Sequence, residues 1–172
     1  MPNPPGAQRG PAMLAIYLND HLAGATGGVD LFRWVAGEHR GTPAGEVLAE
    51  LAEEVELERD ILLAIMRNLG VAVRHYKVAG GWLAEKVFRF SVHGGLRPRS
   101  ELSSVLELEA LHLAVLGKSA AWRMLRLLAD TDPRLDSSQL DALAARAAEQ
   151  SAELEDLRMA AVQAALGSSP LT

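Results

Sequence analysis

Along most of this chain apolar residues return at alternating steps of three and four, the spacing that lays them along one face of an α-helix. The first run carries Leu14, Leu18, His21, Ala25, Gly28, Phe32 and Val35, and the second Leu48, Leu51, Val55, Glu58, Leu62, Ile65 and Leu69. The third carries Leu102, Leu106, Glu109, Leu113, Leu116 and Ala120; the fourth carries Leu140, Leu143, Ala147, Gln150, Leu154, Leu157, Ala161 and Ala164. Each run contains one strongly polar residue: His21, Glu58, Glu109 or Gln150. Breakers separate the runs at Gly41-Thr42-Pro43, Leu69-Gly70, Gly94-Gly95 with Pro98-Arg99-Ser100, Asp132-Pro133 and Gly167-Ser168-Ser169-Pro170. The pattern predicts helices over 13–38, 44–69, 101–129 and 137–166, each on the order of 40 Å long at about 1.5 Å per residue. Thr42 before Pro43 reads as an N-cap with proline at the first helical position, Ser100 can cap the third helix, and Asp136 with Gln139 resembles a capping box.

The connections set the expected topology. Short turns make helices one and two an antiparallel hairpin, and helices three and four another. About thirty residues separate Gly70 from Ser100, enough to travel the length of a bundle, so this segment reads as a crossover. Its middle, Tyr76 to Val92, alternates Val78, Trp82, Leu83, Val87 and Phe90 with Lys77, Glu85, Lys86 and Arg89, which predicts a fifth, amphipathic helix against the bundle. Gly24, Gly27 and Gly28 each cost about 1 kcal/mol in a helix relative to alanine, and the expected return is close approach of another backbone. The fold expected is therefore all-α: a four-helix bundle of two antiparallel hairpins joined by a long helical crossover between helices two and three. Residues 1–11, with four prolines, read as a flexible leader, 12–166 as one domain, and 167–172 as a flexible tail.

Composition supports this class and narrows the chemistry. The 172 residues are 49% hydrophobic and only 5% aromatic, and the chain has no cysteine, which excludes disulfides, thiolate nucleophiles, zinc–thiolate sites and cysteine-held iron–sulfur clusters. Oxygen and nitrogen ligands remain. Dinucleotide and phosphate loops, the nucleophile elbow and HExxH are absent. No run reads as a secretory signal or reaches the length of a membrane span, so a cytoplasmic location is expected.

Charge is unevenly spread. The net charge is −5, yet Arg74, Lys77, Lys86, Arg89, Arg97 and Arg99 face only Glu85 between residues 74 and 99, while Glu46 to Asp60 holds seven acids against Arg59. The leading expectation is that the basic segment docks on the acidic body of the same molecule; attachment of those six cations to an anionic surface is the alternative. A chain of this net charge has no general reason to bind nucleic acid.

Two hairpins joined by one crossover resemble the ferritin-like superfamily over residues 12–166, and the stretches LNDHLAGATGGVDLFR (18–33), YKVAGGWLAEK (76–86) and LELEALHLAVLGK (106–118) look like a set of uncharacterised actinobacterial members that lack the usual di-metal ligands. In the metal-bearing members the resemblance implies carboxylates with a Glu-x-x-His step on helices two and four, holding two iron or manganese ions. In this chain no histidine stands three residues beyond a glutamate of helix two, and helix four has none. Its single Glu-x-x-His is Glu109-Ala110-Leu111-His112 on helix three.

The polar residues in the runs are the candidate site. One expectation is a buried polar cluster that fixes helix register, such as a His21–Glu58 contact. The other is a degenerate metal site from His21, Glu54, Glu58, Glu109 and His112, a set suited to iron, manganese or zinc. Tyr17 and His21 share a face with Glu58 as a third candidate group for acid–base chemistry, but no dedicated catalytic motif accompanies them. The function expected is binding or self-association without catalysis and without a cofactor, in a homo-oligomer, with Trp34, Trp82 and Trp122 as anchors or as core; the alternative is a metal-binding or redox protein.

Overall fold

A computed structural model describes residues 9–74 and 101–167. Among them are four helices and no strand: α1 (Arg9–Glu38), α2 (Pro43–Asn68), α3 (Glu101–Ala129) and α4 (Ser137–Leu166). The expected crossover helix over Tyr76–Val92, with Trp82 and five of the six clustered cations, lies outside the described residues, as does the tail from residue 168.

Local chemistry places the starts of α2 and α4 where the sequence put them. Thr42 Oγ1 accepts from Gly45 N–H with Pro43 opening α2, and Asp136 accepts from the N–H groups of Ser138 and Gln139 at the start of α4. Helix α1 begins four residues before its expected start, inside the stretch read as leader. Pro11 then occupies the first turn, where a missing N–H removes no helical hydrogen bond. At the end of α2, Gly70 N–H donates to the Arg67 carbonyl at 3.0 Å and Val71 N–H to Met66 at 2.9 Å, while Gly70 takes a φ of 70°. That is a Schellman close, and it needs the left-handed conformation that glycine adopts without strain.

Contacts at the ends fix the topology. The Arg134 guanidinium, in the α3–α4 turn, donates to the Leu69 carbonyl at the end of α2 at 3.2 Å. At the other end His39, in the α1–α2 turn, lies 3.3 Å from Glu107 near the start of α3. Thus α2 and α3 run the same way, and the chain between Arg74 and Glu101 joins opposite ends of the bundle. Helix α1 packs on α2 and α3, and α4 packs on α3 and α2. Asn19, 2% exposed on α1, binds the outgoing chain: its amide donates to the Ala72 carbonyl at 3.1 Å, and its oxygen accepts from Arg74 N–H at 2.6 Å.

The core follows the expected faces in three helices. All seven positions of the α2 run are buried, as are Leu18, Gly28, Phe32 and Val35 on α1 and Leu140, Leu143, Ala147, Gln150 and Leu154 on α4. Helix α3 differs. Its buried face is Val105, Leu108, Leu111, Val115, Ser119, Trp122 and Leu125, whereas Leu102, Glu109, Leu113, Leu116 and Ala120 of the expected run are exposed. The helix carries two apolar stripes about one residue apart, roughly 100° around its axis, and the one that includes Trp122 wins the core.

The glycines also differ from expectation. A Cβ at Gly24, Gly27 or Gly28 would meet nothing within 4 Å, so no backbone of the described residues approaches them closely. The close approach lies in the first hairpin turn instead, where a Cβ on Gly45 would stand 2.2 Å from the His39 carbonyl oxygen.

Candidate functional site

Two of the four polar residues in the expected runs meet in the interior. Glu58 is 4% exposed and Gln150 1% exposed, and neither sits alone. The Gln150 amide donates to Glu58 at 3.1 Å and to Glu54 at 2.8 Å, and the Lys118 ammonium donates to both the Glu58 carboxylate and the Gln150 oxygen. Arg146 closes the outer side by pairing with Glu54. Burial lowers the Lys118 pKa by more than the charge and hydrogen bond of Glu58 raise it. The network ties α2, α3 and α4 in one register, since a slip of one residue would separate a buried charge from its partner. Lys118 and Arg146 were not singled out from the sequence; Lys118 lies on the α3 stripe that the expected run excluded.

The other two polar residues do not join it. His21 is half-buried and stacks at a tilt on Tyr17, with ring centroids 4.3 Å apart, and burial pushes its imidazole below the ordinary value more than nearby Asp20 raises it. Glu109, expected in the interior, is exposed on α3 and reaches Arg158 of α4. His112 hydrogen-bonds Ser151 at 2.7 Å and approaches Glu155 at 3.5 Å. The five candidate ligands are therefore spread over three places: Glu54 and Glu58 in the buried network, Glu109 and His112 along the α3–α4 seam, and His21 beside Tyr17. Among the described residues no three His, Asp or Glu side chains are grouped to hold a metal ion. The expected His21–Glu58 contact is replaced by Glu58–Lys118, and the Tyr17–His21 pair has no hydrogen bond to Glu58.

His21 and Glu58 nevertheless face the same space. A cavity of about 330 Å3 lies between α1, α2 and α3. From α1 it is walled by Asp20, His21, Gly24, Ala25, Gly28 and Phe32, from α2 by Val55, Glu58, Arg59 and Leu62, and from α3 by residues between Leu113 and Trp122. The glycines are what make room. Gly24, Gly28 and Gly117 all line it, and a Cβ at each would still meet nothing within 4 Å. Trp122 forms part of the wall, 2% exposed, and its indole N–H has no hydrogen-bond partner among the described residues. Leaving a buried donor unsatisfied costs about 1–3 kcal/mol. Of the other tryptophans, Trp34 is partly exposed at the end of α1.

Comparison with family models, curated proteins and solved structures finds no match to this chain. Among the described residues no helix is long and apolar enough to cross a membrane.

Proposed function

We propose that this chain is a non-catalytic binding protein on a ferritin-like bundle, and that the cavity between α1, α2 and α3 receives a small molecule. The parallel course of α2 and α3, with chain connecting opposite ends, supports the ferritin-like assignment. The observation that carries the binding role is the construction of the cavity. Three helical glycines, each costing about 1 kcal/mol, line a space that nothing among the described residues packs into. A volume of about 330 Å3 falls at the small end of ligand pockets and suits a molecule of one or two rings.

Calorimetric titration with 2-isopropylnaphthalene tests this. One equivalent is expected to bind, and Gly28→Leu, which fills the space from α1, is expected to abolish binding while the helical circular dichroism persists. Binding unchanged in Gly28→Leu would contradict it.

Self-association is a second reading, favoured by the outer stripe of α3, where Leu113 is 68% and Leu127 70% exposed. Light scattering decides it. A dimer is expected, and a strictly 18.4 kDa particle at high concentration would remove it.

A further inference from the structure

We infer that Ser151 is a nucleophilic serine, activated by His112, which takes an acyl group from an activated ester or thioester. The site lies on the α3–α4 seam, and none of its residues lines the cavity. Ser151 and Glu155 stand one turn apart on α4, and His112 meets both of them from α3. A serine inside a helix ordinarily turns its hydroxyl back to the carbonyl one turn earlier. Here Ser151 Oγ lies 2.7 Å from Nε2 of His112, while the Glu155 carboxylate lies 3.5 Å from Nδ1 of the same ring. A carboxylate on that side favours the tautomer with its proton on Nδ1, which leaves Nε2 to accept the hydroxyl proton. Nucleophile, base and orienting acid therefore stand in the order that hydroxyl activation requires.

The surroundings fix what can react. Arg158 donates to both Glu155 oxygens at 2.7 Å and holds that carboxyl below its ordinary pKa, so Glu155 stays ionised as the positioning residue. All three side chains are partly open to solvent, within reach of a donor. Ser151 sits in the middle of α4, whose backbone N–H groups there are committed to the helix and supply no oxyanion pocket. Only a donor whose leaving group departs easily suits such a site. Oγ attacks the carbonyl carbon and forms the new C–O bond as its proton passes to Nε2; the bond to the leaving group then breaks, and the proton returns to the departing oxygen or sulfur. The product is an ordinary serine ester with a poor leaving group, so it persists and each chain takes one acyl group at this position.

The test is acetylation of the full chain by p-nitrophenyl acetate, followed by nitrophenolate release and by peptide mapping in a mass spectrometer. A burst of one equivalent is expected, with the acetyl group on Ser151, while Ser137 and Ser138, exposed at the start of the same helix, stay free. His112→Gln is expected to slow the reaction at Ser151 about a hundredfold. Should that variant not fold, the wild type in urea reads the same dependence: unfolding is expected to bring Ser151 down to the reactivity of Ser137. The role of Glu155 is read from the 15N shifts of the His112 ring, expected to place the proton on Nδ1 in the wild type and to move part of it to Nε2 in Glu155→Gln. Acetyl groups on His112 or a lysine in place of Ser151, an equal spread over the serines, no acetylation, or a rate unchanged in His112→Gln would each overturn the assignment. So would release running past one equivalent without slowing, or a wild-type ring with its proton on Nε2.

Discussion

Glu58 and Lys118 are an ion pair almost out of reach of water, the two side chains being 6% and 13% exposed. Each is tolerable only because the other is there, since a buried pair repays its desolvation through mutual attraction and hydrogen bonds to third groups such as Gln150. Glu58→Gln and Lys118→Met are each expected to destabilise the fold by about 3–5 kcal/mol in urea denaturation, because each strands a buried charge. The double variant Glu58→Met/Lys118→Met is expected to be less destabilised than either single one. Strict additivity in that cycle would show the pair to be uncoupled. At His21 the consequence is one of pH. Its folded pKa lies below the ordinary 6.5, so in the window below 6.5 the unfolded chain takes up a proton that the folded chain refuses. The stability contributed by neutral His21 is complete above 6.5 and is lost as pH falls through that window. Thermal melts from pH 7.5 down to 5.5 are expected to show a decline that is shallower in His21→Gln.

At the scale of the elements, the caps and glycines divide into those that hold the fold and those that open it. Asp136→Ala is expected to cost about 1 kcal/mol in chemical denaturation through the loss of the α4 N-cap. Gly45→Ala should cost more, because its Cβ would fall 2.2 Å from the His39 carbonyl oxygen and force the first hairpin apart. Gly24→Ala should stabilise by about 1 kcal/mol, since its Cβ meets open space and alanine favours the helix. Opposite signs at these two positions separate a glycine pressed against the first hairpin turn from a cavity glycine. The helices were largely legible in the chain because their signals are local: Thr42-Pro43, Asp136 and the three-and-four spacing each act within a few residues. The α3 face was not, because two stripes satisfy the same spacing and only packing against α1 and α4 chooses between them. Trp122, seven residues from Val115 and three from Leu125, was the signal for the correct one. Lys118 and Asn19 were hidden for another reason: their partners are 60 and 53 residues away in sequence, and no local pattern announces them.

At the scale of the whole molecule, the described residues form a bundle locked on one side, with a cavity that opens to solvent on the other. The Glu58–Lys118–Gln150 network fastens α2, α3 and α4. Beside it α1 contributes glycines where a bundle helix ordinarily contributes side chains. Among the described residues nothing fills the space of about 330 Å3 beside it. The most direct measurement is a crystal structure of the full chain under xenon, which occupies apolar space that a chain leaves unfilled. Xenon is expected between Gly24, Gly28 and Trp122. A site closed by the chain's own side chains, with no xenon there, would contradict it.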